Sequence, residues 1–495
     1  MFGTSGVRGP VGKEVTAALA VSIGRALGIE TDAVVVGRDV RDSGRALVDA
    51  LAAGLVESGT DVLDVGVAAT PTIARAVGGA DADAGVAVTA SHNPPSDNGF
   101  KLWTPSGQAF DAAAQNRIAD RVRTDAFDPA DPNDHGRRHG FGDVFERPAT
   151  DSHRAAIVDA GRRALAGVGE RGAAAPLSGT RVVVDLGNGT GRVTADALVE
   201  LGATVETLNG QRDGRFPGRP SEPTAETCAS LRSHVAGTDA DLGIAHDGDA
   251  DRMMAVADDG RFLEGDALLA LLARAAVADA ETGADADAET GADADAETGA
   301  DEDAGAAVGD TEGVATARVA APLNTSLAVD DALEAVGAEL VRTRVGDVAV
   351  AERAAETGVV FGGEPSGAWI FPTETLCPDG PLAAVRITAL AAERSLSERV
   401  GDLPSYPIRR GNREVDAKES VMDALVSIVD GEYDAAAVST LDGVRVETDD
   451  GWLLVRASGT QPLIRLTAQA RTDSETDALY DRAAALLDRA IDAAE

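Results

Sequence analysis

At 495 residues the chain is too long for one ordinary domain and predicts three or four, each large enough for its own core. A hydrophobic share of 44% is that of a globular protein and excludes general disorder, despite a net charge of −39. Such a surface repels nucleic acid and acidic membranes, which excludes both as partners. Only Lys13, Lys101 and Lys418 are lysines, and the acidic excess reads as adaptation to a salty cytoplasm that screens self-repulsion. Two cysteines, Cys228 and Cys377, are too few for a disulfide framework and are expected as buried thiols in a reducing compartment. No signal-peptide pattern and no run of about 18 apolar residues occurs, so a soluble, cytoplasmic protein is expected.

In chain order, Ala33 to Val36 predicts a strand, Arg45 to Glu57 a helix, and Val62 to Val65 and Gly85 to Val88 two further strands. Strands alternating with helices predict an α/β layer with a largely parallel sheet. Asp125 to Arg147, rich in Asp, Pro, His and Arg, reads as a linker with loops. The pattern restarts at Arg181 to Asp185, with a helix from Val193 to Leu201. It restarts again near Gly313, with Val319, a helix from Val329 to Val336 and a strand from Glu339 to Val341. Between these, Ala280 to Asp303 carries AETGADAD twice and then an altered copy. With no face to bury, it is expected as a solvated, mobile insertion, and less readily as an acidic interaction segment. After Arg399 a smaller α+β unit follows: a helix near Ser420 to Ile428, strands near Val444 to Thr448 and Trp452 to Arg456, and a long terminal helix.

Four runs carry chemistry. Thr89-Ala90-Ser91-His92-Asn93-Pro94-Pro95 follows a predicted strand, where α/β proteins hold ligands. Its prolines force a rigid loop presenting Ser91, with Lys101 ten residues on to neutralise an anion; taken alone, an ordinary turn explains it as well. The run lacks the G-x-S-x-G form of hydrolases. In His246-Asp247-Gly248-Asp249-Ala250-Asp251-Arg252 three carboxylates at i, i+2 and i+4 converge, and their mutual repulsion calls for a cation. Arg252 and Asp258 stand where an EF-hand needs Gly and Glu, and Mg²⁺, content with few protein ligands, is favoured. Chance clustering in so acidic a chain is the alternative. Phe361-Gly362-Gly363-Glu364-Pro365-Ser366-Gly367 offers a close backbone approach with an acceptor and a donor suited to sugar hydroxyls, as many Gly-rich turns do. Arg456-Ala457-Ser458-Gly459-Thr460-Gln461-Pro462-Leu463-Ile464-Arg465 sets two arginines about a turn able to nest an anion, or is a polar turn between strands.

Together with FGTSGVRG at the N-terminus, the runs TASHNPP, DGDADR, GGEPSG and RASGTQPLIR, in this order, resemble the α-D-phosphohexomutase superfamily over nearly the whole chain. Its acidic composition fits a halophilic, archaeal member. The resemblance implies three related α/β/α domains plus a smaller α+β C-terminal domain around a central cleft. They are placed at 1–145, 150–255, 256–400 (with the insertion 280–303) and 401–495. It implies an intramolecular phosphotransferase that interconverts hexose 6-phosphate and hexose 1-phosphate. Ser91 would carry the phosphoryl group, and Asp247, Asp249, Asp251 and the Ser91 phosphate would hold Mg²⁺. A hexose 1,6-bisphosphate would serve as intermediate and activator. Arg8 and Lys101 would serve proton transfer or charge stabilisation. His92 would position, since neighbours on an extended segment point opposite ways. Glu364 and Ser366 would bind sugar; Arg456, Ser458, Gly459, Thr460 and Arg465 would bind the other phosphate. GGEPSG, Val345-Gly346-Asp347 and RASGTQPLIR lean towards phosphoglucosamine mutase. Ala368, where a His often follows Ser-Gly, leaves phosphomannomutase/phosphoglucomutase as the alternative. A sugar-phosphate sensor on the same fold is the non-enzyme reading. A hexose phosphate is the expected partner, and a monomer or homodimer the expected assembly.

Overall fold

The computed structural model describes residues 6–127, 140–166, 175–294, 316–458 and 461–494, with the backbone alone for 283–294. In the first unit, β1 (Val7–Pro10), β2 (Ala33–Arg38), β3 (Asp61–Val67), β4 (Ala84–Val88), β5 (Asp97–Trp103) and β6 (Val144–Glu146) form one sheet in the order β1-β5-β4-β2-β3-β6. Val34 and Val36 face the helices Ala17–Gly28 and Gly44–Glu57, while Val35 faces Thr70–Gly79 on the other side. Burial on both faces explains why these strands read as continuous apolar runs.

β4, β2, β3 and β6 are parallel, and β5 runs antiparallel to β4 and to β1, so the sheet is largely parallel as expected, with β5 alone reversed. Residues 89–96, between β4 and β5, are too few for a crossover, which takes a dozen or more, and only a hairpin return is open to them. The end of the expected linker is likewise not loop: Val144–Glu146 is the edge strand β6, paired with β3. Residues 128–139 of that stretch lie outside the described residues.

The second unit orders β7 (Arg181–Asp185), β8 (Thr204–Leu208), β9 (Leu242–His246) and β10 (Met253–Ala257) as β10-β9-β7-β8. The third orders β11 (Arg318–Pro322), β12 (Glu339–Thr343), β13 (Val359–Glu364) and β14 (Ala368–Ile370) as β12-β11-β13-β14. In both, parallel strands end in one antiparallel pair, β9–β10 or β13–β14. The fourth unit is wholly antiparallel. β15 (Ile408–Glu414), β16 (Val438–Ser439), β17 (Val444–Glu447), β18 (Gly451–Ala457) and β19 (Leu463–Ala470) lie in the order β15-β19-β18-β17-β16. The four motif runs therefore fill four equivalent places, the turns β4–β5, β9–β10, β13–β14 and β18–β19.

One core per unit is not what forms. The second and third units share one large cluster, which holds Leu242, Ile244, Val319 and Trp369 together with Leu382, Val385 and Ile387, beside a smaller cluster on the far side of each sheet. These last three lie on the helix Gly380–Glu393, which Asp379 caps by accepting from the Leu382 amide at 3.0 Å. Asp379, wholly buried, also accepts from Arg75 Nε at 2.8 Å and lies 3.1 Å from His153 Nε2, tying the first unit to this helix. Burial pushes its carboxyl up, but His153 and Arg75 outweigh burial and hold it well below the usual carboxylate range. The fourth unit keeps a core of its own.

The acidic repeat begins as structure. The helix Gly265–Ala294 opens on the buried Leu268, Leu269 and Leu272 and runs on through the first repeat copy. Ala, Glu and Asp can propagate a helix once packing has nucleated it, which a search for a buriable face misses. Residues 295–315 lie outside the described residues. Both cysteines are buried thiols, and no described helix is long and apolar enough to cross a membrane.

Candidate active site

The β4–β5 turn is held from behind. Arg41, buried and paired with buried Asp39 at 3.0 Å, donates to the carbonyls of Ser91 (2.8 Å), Asn93 (2.7 Å), Pro94 (2.5 Å) and Asp97 (2.9 Å). Asp39 in turn accepts from Thr89 Oγ1 at 2.7 Å, and Thr89 Oγ1 accepts from the Ser91 amide at 2.8 Å. One guanidinium can organise four carbonyls because its donors fan out in a rigid plane. The grip holds Ser91 at φ +50°, a left-handed conformation unfavourable for a serine and sustained only by such surroundings.

Ser91 Oγ then donates to Asp247 Oδ2 at 2.6 Å. Asp247, Asp249 and Asp251 are all buried, with one oxygen of each within 4.8 Å of the others. Each accepts one hydrogen bond from the first unit: Asp247 from Ser91, Asp249 from Thr70 Oγ1 at 2.6 Å, and Asp251 from Lys101 Nζ at 2.5 Å. Asp249 Oδ1 and Asp251 Oδ1 are buried without a hydrogen-bond partner, which fits a cation-binding set. Burial, then Asp249 and Asp251, push Asp247 well above the ordinary range. For Asp251 burial acts in the same direction, but Lys101 and Arg252 reverse it and hold it at about 2.

Lys101 stands on β5, not in the loop, opposite Ala87 of β4. Burial disfavours its charge, yet Asp251 and Asp347, the latter at 3.7 Å, more than compensate and keep the ammonium protonated beyond its ordinary range. His92 is displaced from expectation. Because Ser91 is left-handed rather than extended, His92 does not point away; its Nδ1 lies 3.4 Å from Ser91 Oγ and it lines the cleft. Burial, then Arg252 and Arg8, depress it to about 3, so it stands neutral.

The four turns converge on a cleft of about 380 Å³. The first unit contributes Arg8, His92 and Lys101, the second Asp251 and Arg252, the third Asp347 and Glu364, and the fourth Arg456, Ser458 and Arg465. Five cations gathered in a chain of net charge −39 mark an anionic ligand. Arg456 and Arg465 are register partners across β18 and β19, and like charges placed so are unfavourable until an anion joins them. Arg456 Nη1 lies 3.4 Å from Asp442 Oδ2, which also accepts from the Val345 amide at 3.0 Å across the units. Glu364 accepts from the Gly346 amide at 3.1 Å and from Ser366 Oγ at 3.0 Å; burial and Asp347 raise its pKa. Gly459 and Thr460, like Phe2 to Ser5, lie outside the described residues.

Sequence reasoning brought Arg8, Ser91, His92, Lys101, the aspartates, Glu364, Arg456, Ser458 and Arg465 together and missed Asp39, Arg41, Thr70, Ser221 and Asp442. Ser221 Oγ joins two turns, donating to Ser91 O at 2.9 Å and accepting from the Gly248 amide at 2.9 Å. The one local signal was Arg38-Asp39-Val40-Arg41, a charged run at the carboxyl end of β2, where α/β sheets place function.

Comparison with known proteins agrees with this geometry. The chain matches family models described as phosphoglucomutase/phosphomannomutase alpha/beta/alpha domain I over residues 1–129, domain II over 168–260, domain III over 304–406 and the C-terminal domain over 410–486. A protein of Methanosarcina acetivorans named probable phosphoglucosamine mutase is 39% identical over 492 residues, covering 99% of each chain. One of the same name from Methanopyrus kandleri is 38% identical over 498 residues, covering 99% of this chain and 98% of its own. The crystal structure of a phosphoglucomutase/phosphomannomutase family protein from Burkholderia thailandensis superposes with a TM-score of 0.75 at 27% identity, over 100% of this chain and 98% of that one.

Replacing Arg41 by Met tests the support behind the serine. Burial already holds Asp39 up at about 6 with Arg41 beside it, so the variant strands a buried carboxyl and frees four carbonyls. Thermal unfolding is expected to show a loss of about 3 kcal/mol or more. A variant melting with the wild type would show that the turn holds itself.

Proposed function

Because the chain belongs to the phosphoglucomutase/phosphomannomutase family, we propose that it is a phosphoglucosamine mutase working through a phosphorylated Ser91 and Mg²⁺. The observation that carries the reading is the placement of Ser91 Oγ at 2.6 Å from one of three buried carboxylates, at the wall of a cleft with five cations.

In this reading a phosphoryl group on Ser91 passes to the free hydroxyl of a bound hexose phosphate. The P–Oγ bond breaks, a bond to the sugar oxygen forms, and the hydroxyl proton passes in net to the freed Ser91 Oγ. The resulting bisphosphate turns over in the cleft, and its other phosphoryl group returns to Ser91. Asp247, Asp249 and Asp251 would hold Mg²⁺, which when bound neutralises charge on the transferring group. Lys101, held protonated, stabilises charge and cannot take the proton. His92, neutral and 3.4 Å from Ser91 Oγ, positions the serine; depressed to about 3, its imidazole is too weak a base to hold the proton. Arg456 and Arg465 grip the phosphate that is not reacting, so remote binding energy orients the reacting end. The fourth unit closing on the cleft excludes water, which would hydrolyse phosphoserine and abort the cycle.

Asp347 and Glu364, two carboxylates on the cleft wall of the third unit, favour an amino sugar. Glucosamine phosphate differs from glucose phosphate by an ammonium at the 2-position, which such carboxylates favour wherever water is displaced.

Three measurements test the reading. Ser91→Ala is expected to lose more than about a thousandfold in turnover with its fold intact, and phosphopeptide mapping to find phosphate on Ser91 alone. Turnover surviving in that variant would sink the mechanism. Chelation of divalent ions, or Asp249→Asn, should depress the rate by at least about a hundredfold, with Mg²⁺ restoring the chelated enzyme. An unchanged rate would leave the carboxylates needing another role. At fixed salt, kcat/KM for glucosamine phosphate should exceed that for glucose or mannose phosphate by about tenfold. Equal values would transfer the protein to phosphomannomutase/phosphoglucomutase without altering the mechanism.

A further inference from the structure

Among the described residues two hydrogen bonds tie Ser91 across to the second unit, one through its side chain and one through its backbone. Its Oγ donates to Asp247 at 2.6 Å, and its carbonyl accepts from Ser221 Oγ at 2.9 Å. A phosphorylated Oγ has no proton, so the first bond is lost whenever the group is carried. The second uses the backbone alone and is indifferent to what Oγ bears. Ser221 Oγ also accepts from the amide of Gly248, the residue after Asp247, at 2.9 Å. Its one proton and a lone pair thus link the serine turn directly to the β9–β10 turn. Gly248 leaves room for this approach, since a Cβ there would lie 2.8 Å from Ser221 Oγ.

Ser221 is itself fixed from behind. It is buried, and its carbonyl accepts from Arg219 Nη1 at 3.1 Å. Arg219, paired with buried Asp185 at 2.7 Å, also donates through Nη2 to the carbonyl of His246, beside Asp247, at 2.6 Å. The second unit thus repeats the arrangement of Asp39 and Arg41 in the first. Phe216 joins the two, with its ring centroid 5.1 Å from the Arg41 guanidinium carbon. It is buried at φ +50°, a conformation costly for so bulky a residue and kept only where the surroundings impose it.

We propose that Ser221 is a positioning residue for phosphoryl transfer, holding the serine turn against the three carboxylates whether or not Ser91 is phosphorylated. Ser221 has this role only if Ser91 carries the phosphoryl group, the reading proposed above. Thr70 and Lys101 also join the two units, but they end on Asp249 and Asp251 and do not touch Ser91. The reacting oxygen must return to the same place after each transfer, and a displacement of about 1 Å can cost about a hundredfold in rate.

The test compares Ser221→Ala, Ser221→Cys and Ser91→Ala with the wild type, using whichever of glucosamine, glucose and mannose 6-phosphate is turned over best. Glucose 1,6-bisphosphate supplies the phosphoryl group, and intact mass gives the state of Ser91 in each sample. Ser221 does not line the cleft, so Ser221→Ala is expected to lower kcat about twentyfold with KM within about twofold. Calorimetric titration of the phosphorylated form with Mg²⁺ should show an affinity about fivefold below wild type. The unphosphorylated form, where Ser91 Oγ still reaches Asp247, should lose less. Ser221→Cys, whose thiol donates and accepts weakly, should fall between, and it carries the test should Ser221→Ala fail to fold. Unchanged kcat and Mg²⁺ affinity in Ser221→Ala, with Ser91→Ala inactive, overturn the inference whatever happens to the melting temperature. Turnover surviving in Ser91→Ala defeats the phosphoserine reading, and this inference with it.

Discussion

Three of the hydrogen bonds that join the first unit to the second end on different carboxylates of one turn: Ser91 on Asp247, Thr70 on Asp249, Lys101 on Asp251. Three buried acids within 4.8 Å of one another would otherwise destabilise the fold, since charge taken out of water costs several kcal/mol per ion. The first unit offsets part of that cost with two hydroxyls and one ammonium. Two carboxylate oxygens, on Asp249 and Asp251, remain without donors, as a set able to hold a cation would leave them. The docking of the units and the chemistry of the site thus rest on the same contacts.

The other units follow from that docking. The antiparallel pairs β9–β10 and β13–β14 lie side by side because the second and third units share one core. Met253 N donates to Gly367 O at 2.9 Å and Trp369 Nε1 donates to Met253 O at 2.8 Å, so the β9–β10 turn and the β13–β14 turn are fixed relative to each other. Gly380 shows how closely these parts meet, for a Cβ there would come within 2.7 Å of the carbonyls of Ala250 and Arg252 in the β9–β10 turn. The fourth unit is joined differently. It keeps a core of its own and meets the third through a small buried cluster of Leu323, Trp452 and Leu454, flanked by polar contacts such as Arg471 with Asp331 at 2.9 Å and Gln469 with the Leu327 amide at 2.9 Å. So small an apolar joint costs far less to open than the core shared by the second and third units, which suits a site that must admit a sugar phosphate and then exclude water.

Charge is distributed against the average of the chain. The surface is strongly acidic, yet the cleft wall carries Arg8, Lys101, Arg252, Arg456 and Arg465. An anionic substrate approaches a negative protein and finds a local positive field, so high salt, by screening the long-range repulsion, leaves the short-range attraction in place.

Much of the site was legible because its signals are local. Three aspartates spaced by two residues converge whatever surrounds them, and a Ser-His-Asn-Pro-Pro run after a strand makes a rigid turn by its own stereochemistry. The α/β alternation was equally local, and the strand and helix expectations for β2, β3, β4 and β7 agree with what forms. What the residues alone did not reveal depended on partners distant in the chain. Arg41 lies fifty residues from Ser91, and nothing near it indicates that four carbonyls will turn towards it. The orientation of His92 hinged on one φ angle that this grip imposes, so reasoning from an extended strand failed. Sharing of a core between the second and third units arises from the helix Gly380–Glu393, whose burial on all sides is a property of its neighbours. The helix through the first acidic repeat was missed for a related reason, since propagation draws on a nucleus formed earlier in the chain. Sequence determines the chemistry that each short turn can offer, because spacing and side-chain type act over a few bonds. Tertiary structure alone decides which turns face one another, because that depends on surfaces assembled from residues hundreds of positions apart.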